Sequence, residues 1–210
     1  GPQAQRDWDG LDLGYHYDPL DYVWSGLNLT NATLVLTNGV AVAVYGSKGV
    51  RLRNGARFVS QGMPGVLNRL ARYPAVQEQP VLWGSTPSSF LYTESGSTVW
   101  PEEVLRFTEI PLLAAGRGRV LWDSALEGQA QRLALTDCHL AGVTMSLEVG
   151  GSDPDVMTVA LTNNLIERAS LSLVQAADSL QLVVLLRNNL FWRGSLTIRD
   201  YDDTETWEVR

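Results

Sequence analysis

The chain has 210 residues, of which 45% are hydrophobic and 19% charged, with a formal net charge of −7. That length and hydrophobic share suit a single domain with a full core, and the acidic balance excludes the basic footprint of a nucleic-acid-binding protein. No run of 18 apolar residues occurs, which excludes a membrane-spanning helix, and one cysteine excludes an internal disulfide.

Gly1-Pro2 reads as the remnant of a cleaved tag, which would leave any natural leader outside this sequence. Residues 1–26 interleave Asp7, Asp9, Asp12, Asp18 and Asp21 with Trp8, Tyr15, Tyr17, Tyr22 and Trp24. Such a mixture could line a sugar-binding face. The reading preferred here is a cap whose aromatics shield an open sheet edge.

Residues 27–60 alternate short apolar runs with turn signals. The runs are Thr33-Leu34-Val35-Leu36, Val40 through Tyr45, Val50-Arg51-Leu52-Arg53 and Arg57-Phe58-Val59-Ser60, separated by Thr37-Asn38-Gly39, the stretch up to Gly49, and Asn54-Gly55. Asn-Gly is a strong turn signal. Strands starting about eight residues apart would place three in one coil of a solenoid. Asn28-Leu29-Thr30 and Asn31-Ala32-Thr33 match the glycosylation sequon but are read as strand and turn residues.

Residues 61–132 break this rhythm and predict an irregular insertion. Gly62-Met63-Pro64, Tyr73-Pro74, Gln79-Pro80, Thr86-Pro87 and Trp100-Pro101 punctuate it. Within it, residues 66–73 (VLNRLARY) predict two helical turns, with Val66, Leu67, Leu70 and Tyr73 near one face. Val81-Leu82-Trp83, Phe90-Leu91-Tyr92 and Val120-Leu121-Trp122 predict short strands, the last preceded by the basic turn Gly116-Arg117-Gly118-Arg119.

Residues 133–210 carry the clearest signal. Residues 136–147 (TDCHLAGVTMSL), 162–173 (TNNLIERASLSL) and 187–198 (RNNLFWRGSLTI) align without gaps, and Asp137, Asn163 and Asn188 lie 26 and 25 residues apart. A repeat of this period implies stacked units, because one unit cannot bury its own apolar face. Each unit holds two runs of strand periodicity separated by Asn or Asp, which tolerate left-handed backbone. Stacking would align Leu135, Leu161 and Leu186 in one interior row and Leu147, Leu173 and Ile198 in another. Asn164 and Asn189 would stack at an inner corner, with Cys138 replacing them one coil earlier. Residues 204–210 (TETWEVR) read as the start of a further strand without a polar cap. That predicts either a segment of a longer chain or an open end that stacks on another molecule.

The runs in residues 27–60 and the units LTNNLIERASLSL and LRNNLFWRGSLTI resemble the right-handed parallel β-helix, the pectate-lyase-like fold of secreted and cell-surface bacterial proteins. Residues 11–17 (LDLGYHY) also resemble a segment that borders such helices. The resemblance implies an all-β, right-handed parallel β-helix and an extracellular or cell-surface location. It supplies no catalytic motif to carry over.

Candidate sites follow from the residues. Glu167, Arg168, Trp192 and Arg193 fall at matched positions of adjacent units. Glu167 and Arg193 are the catalytic candidates, since a carboxylate and a guanidinium could act on a uronate, and Arg168 and Trp192 are the ligand-binding candidates. Asp200, Asp202 and Asp203, with Glu205, could chelate Ca²⁺, although a solvated acidic turn is the preferred reading. The loop from Gly150 to Asp155 is read as a plain excursion. His16 and His139 are the only histidines. No nucleophile elbow accompanies them, so His139 is expected to pack, and two histidines with one cysteine do not make a zinc site.

The sequence therefore points to a structural or adhesion module without enzymatic activity. Two alternatives stay open: a β-helix that binds or cleaves polysaccharide, and a module that assembles through uncapped coil ends. Its partners would be polysaccharide or neighbouring β-helix segments, of the same chain or another copy.

Overall fold

The computed structural model describes residues 20–45, 48–73, 88–93, 99–111, 118–123, 131–149, 156–175, 181–199 and 206–209. They wind through seven coils of three short strands each. The first coil holds β1 (Tyr22–Trp24), β2 (Leu27–Thr30) and β3 (Thr33–Thr37); the second holds β4 (Ala41–Val44), β5 (Lys48–Arg53) and β6 (Arg57–Gln61). The third holds β7 (Asn68–Arg72), β8 (Ser88–Thr93) and β9 (Glu102–Arg106); the fourth holds β10 (Thr108–Pro111), β11 (Gly118–Asp123) and β12 (Arg132–Thr136). The fifth holds β13 (His139–Ala141), β14 (Thr144–Val149) and β15 (Val156–Thr162). The sixth holds β16 (Leu165–Glu167), β17 (Ser170–Gln175) and β18 (Gln181–Arg187), and the seventh β19 (Leu190–Trp192), β20 (Ser195–Arg199) and β21 (Thr206–Val209).

First strands of successive coils form one sheet, second strands another, and third strands another, each seven strands wide. Neighbours pair in parallel throughout, as a β-solenoid requires. Alternating side chains along each strand send every second residue inward. On the third sheet Leu135, Leu161 and Leu186 stand in register and are buried. On the second sheet Leu147, Leu173 and Ile198 do the same, Ile198 being only partly buried. Both interior rows predicted from the repeat are present. Glu103 departs from the pattern: it is buried, in register between Phe58 and Leu133.

The irregular stretch at residues 61–132 departs in spacing while keeping the architecture. β7 through β11 lie within it, and each joins its sheet. A parallel ladder fixes only the strands, so loops of any length can leave at the corners. Hence Arg69 and its neighbour Glu109 in the next coil are 40 residues apart, whereas Asn164 and Asn189 are 25 apart. The helix expected over residues 66–73 does not form. Met63 and Val66 close a small antiparallel bridge, and Asn68–Arg72 is strand β7, paired with β4 and β10. Two flanking strands satisfy that backbone, and the local helical spacing is overridden. Phe90-Leu91-Tyr92 lies in β8 and Val120-Leu121-Trp122 in β11, as expected. Val81-Leu82-Trp83 is outside the described residues.

The corner between the third sheet and the next first-sheet strand is held by a ladder of side-chain hydrogen bonds. The third to sixth coils turn there on a left-handed residue: Phe107 (φ 46), Asp137 (φ 54), Asn163 (φ 57) and Asn188 (φ 51). The following residue points inward. Asn164 donates through Nδ2 to Leu135 O (3.0 Å) and Asn189 Oδ1 (2.8 Å), and its Oδ1 accepts from Cys138 N (2.9 Å). Asn189 repeats the pattern on Leu161 O (2.8 Å) and Asn164 N (3.1 Å). Cys138 donates its thiol to Thr136 O (3.2 Å), and burial pushes that thiol up to about 11, so it packs as a protonated side chain.

The ladder extends beyond the predicted pair. Asn68 pairs in register with Thr108. Its Nδ2 donates to Leu36 O (3.0 Å) and Ser60 Oγ (3.0 Å), while its Oδ1 accepts from Gly39 N (2.9 Å) and Val40 N (3.1 Å). Ser60 and Thr108 hydroxyls join at 2.7 Å. Gly62 admits this turn because a Cβ there would strike the Phe107 carbonyl oxygen and sit 2.8 Å from Asn68 N.

Replacing Asn164 by Leu removes the partners of a buried N–H and a buried carbonyl, which should cost about 3 kcal/mol. Asn189→Leu should cost less, since Asn189 is only partly buried. Urea denaturation of the two variants checks the order; equal losses would mean that the buried amide ladder is not what holds this corner.

Candidate functional site

The outer face of the first sheet carries the candidate residues. Two outward rows run along it. One contains Arg69, Glu109, His139, Leu165 and Leu190 in register, and the other Pro111, Ala141, Glu167 and Trp192. At the early coils this face is small and apolar: Ala41, Ala43 and Ala71 are buried under Leu20, Val23 and Tyr73. Asp21 fixes that cover by accepting from Ala41 N at 2.8 Å.

From the third coil onward the charges alternate in sign along the axis. The Arg69 guanidinium donates to Glu109 Oε2 through Nη2 (2.9 Å) and Nε (3.1 Å). Glu109 Oε1 lies 3.7 Å from His139 Nδ1, and Glu167 Oε2 lies 3.6 Å from His139 Nε2. Glu167 Oε1 in turn lies 3.6 Å from Arg168 Nε. The imidazole thus bridges carboxylates of the coils on either side. Its contacts are too long for direct hydrogen bonds and become ion pairs when the ring is protonated. Glu109 raises the His139 pKa, with burial opposing and Glu167 adding to the rise. Conversely, His139 holds Glu109 below the usual carboxylate range; burial opposes this and Arg69 adds to it.

At the last two coils the chemistry changes. The corner between the first and second sheets turns on Gly142 (φ 67), then Arg168 (φ 48), then Arg193 (φ 52). Both guanidinium carbons lie over the Trp192 ring, at 5.4 Å for Arg168 and 4.9 Å for Arg193, within cation–π range. Trp192 keeps 45% of its surface exposed and Leu190 keeps 63%.

Glu167, Arg168, Trp192 and Arg193, matched in the sequence, are brought together on one face. His139, expected to pack, lies half-buried on the outer face between two glutamates, because it sits one residue beyond the inward corner position. Glu109 and Arg69 went unnoticed, since loops of unequal length hide their register. Asp200, Asp202, Asp203 and Glu205, the excursion at residues 150–155, and His16 lie outside the described residues, as do the N-terminal aromatics Trp8, Tyr15 and Tyr17. Tyr22 and Trp24 of β1 stack at 6.1 Å. Among the described residues, no group of three or more His, Cys, Asp or Glu side chains is placed to hold a metal, and no helix is long and apolar enough to cross a membrane.

Glu109 does not suit the role of a general acid. A general acid needs a carboxyl whose pKa is raised toward the working pH, and Glu109 is shifted the other way. Glu167 is flanked by His139 and Arg168. What the face offers instead is fixed charge beside an exposed aromatic. No family model matches the chain, and no curated protein or solved structure matches it either.

The ladder makes stability depend on pH with a definite sign. A raised folded pKa means that His139 contributes fully below its unfolded value of about 6.5, and that this contribution is lost as pH rises through the higher folded value. The lowered Glu109 contributes above the ordinary glutamate value and loses that contribution as pH falls. Wild type should therefore exceed His139→Gln by on the order of 1 kcal/mol in mildly acidic solution, and the difference should vanish in alkali. Urea titrations of both proteins across pH read this directly, and a gap that widens in alkali would contradict the ion-pair assignment.

Proposed function

We propose that the chain is a structural or adhesion module of a secreted or cell-surface protein: a stiff, non-enzymatic solenoid segment that presents the outer face of its first sheet. The observation that carries this reading is mutual neutralisation. Glu109 is paired by Arg69 and His139, and Glu167 by His139 and Arg168. A glycosidase needs two carboxyl groups in different protonation states flanking the bond to be cut. Here both lie in one line of ion pairs that ties neighbouring coils together, which suits a load-bearing surface.

The corner ladder supports the same reading. Each coil is fastened to the next by backbone pairing on three sides, with side-chain amides, hydroxyls and the Cys138 thiol bonding along one corner, so the face is displayed on a rigid support. A secreted or surface location follows from the resemblance of the repeat units to β-helix proteins of that kind.

The test is incubation with a panel of acidic and neutral polysaccharides, with and without Ca²⁺, followed by mass spectrometry of the soluble fraction. The expected outcome is no released oligosaccharide with any substrate. Products whose release disappears in Glu167→Gln or Arg193→Gln would replace this reading with a polysaccharide-cleaving one.

A further inference from the structure

We infer that the third coil is a joint in the solenoid: its interior is polar enough to uncouple the coils before it from the coils after it, so that the two stretches open as separate cooperative units. Each stretch stays stiff in itself. The inference goes beyond the reading of the chain as a surface module and does not depend on where that module resides or what it meets.

Three observations carry it. The first is where buried polarity lies. Ser60, Asn68, Thr108 and Asn164 are buried within the corner ladder. Among the described residues, the other buried polar or charged side chains are Arg72, Ser89, Thr93 and Glu103, and all four belong to the third coil. Every sheet contributes. Arg72 stands in register with Val44 on the first sheet, Thr93 with Leu52 on the second, and Glu103 between Phe58 and Leu133 on the third. Those neighbours are all part of the apolar core. The layer therefore occupies places that the adjoining coils fill with apolar side chains.

The second is what this burial costs. A charge or a hydroxyl taken out of water loses hydration that an apolar side chain never had. Burial pulls the Arg72 guanidinium down to about 10 from its ordinary 12.5. Among the described residues Thr93 Oγ1 finds no hydrogen-bond partner. Leu70, Leu91 and Leu105 still pack inside this coil, and Asn68 ties its corner to the coil before. The coil thus keeps its shape while giving its neighbours less apolar contact.

The third is the length of its connections. They run from Arg72 to Ser88 and from Thr93 to Glu102, whereas those of the sixth coil run from Glu167 to Ser170 and from Gln175 to Gln181. Longer loops cost more chain entropy to close, so the third coil is the more expensive one to hold in place. In a stack, each coil is coupled only to its immediate neighbours. One weak layer is then enough to divide the cooperativity of the whole.

Hydrogen exchange of the whole chain at rising urea, read by mass spectrometry of its peptides, tests this. In wild type, peptides from β4 and β6 should lose protection at a different urea concentration from peptides of β12, β15 and β18, with the boundary at β7 to β9. Thr93→Val keeps the side-chain shape and removes the hydroxyl. Glu103→Leu supplies the residue that stands in register one coil later. Each should raise the urea midpoint of the earlier stage, and the two together should merge the stages into one. Most core substitutions destabilise, so a gain at both sites is a signature of a polar layer that opposes packing. A single stage in wild type, a boundary outside the third coil, a lowered midpoint in Thr93→Val, or stages that stay apart in the double variant would each overturn the inference. A Glu103→Leu protein that does not fold would overturn it as well, because the carboxylate would then be a support of the coil.

Discussion

The rest of the structure depends on the inner corner where each coil passes from the third sheet to the first. A parallel solenoid satisfies its strands by stacking, but every corner leaves backbone groups that no strand can reach. Here they are met by Asn68, Thr108, Cys138, Asn164 and Asn189, five side chains of decreasing and then increasing polarity at equivalent places. Each asparagine binds the carbonyl of the coil before it through Nδ2 and the backbone N–H of that coil through Oδ1. That double contact fixes the vertical register of the coils. Once the register is fixed, the leucine rows follow, because the residues on either side of the corner have no freedom to slip by one position and reverse which face they present.

Fixed register also explains why the outer surface organises into rows. A residue placed outward on one strand has its counterpart one coil spacing away, so like charges would repel and opposite charges attract along the axis. Arg69, Glu109 and His139 of one row, with Glu167 of the neighbouring row and Arg168 beside it, are the favourable solution, the histidine completing the alternation only when protonated. Its coupling to pH is a consequence of that position in the row.

What could be read from the sequence was limited by loop length. The last three coils have corners of nearly constant length, so their repeat was visible and with it the two aliphatic rows, the Asn164–Asn189 stack and the grouping of Glu167, Arg168, Trp192 and Arg193. The middle coils carry long connections, and their strands begin at uneven intervals; Asn68 therefore gave no sign that it was the equal of Asn164. The helical spacing of residues 66–73 misled for a related reason. Leu70 does point into the core, but as an alternate residue of a strand whose neighbours are supplied by distant sequence. His139 escaped because its position is defined by the corner one residue earlier, and the aligned residues Leu165 and Leu190 suggested an apolar site.

The same geometry argues where recognition can arise on such a molecule. An unbroken row of alternating charges satisfies itself and offers little to a ligand, since any approaching ion must displace a partner already in place. On the first sheet the alternation stops after Glu167: the next outward residues are Leu190 and Trp192, and among the described residues the corner arginines meet one carboxylate, Glu167 beside Arg168. Both guanidinium groups pack against one indole, a contact that leaves their charge in place. The described row thus ends on two guanidinium groups beside apolar surface, where the coils before it carry charges of opposite sign in contact.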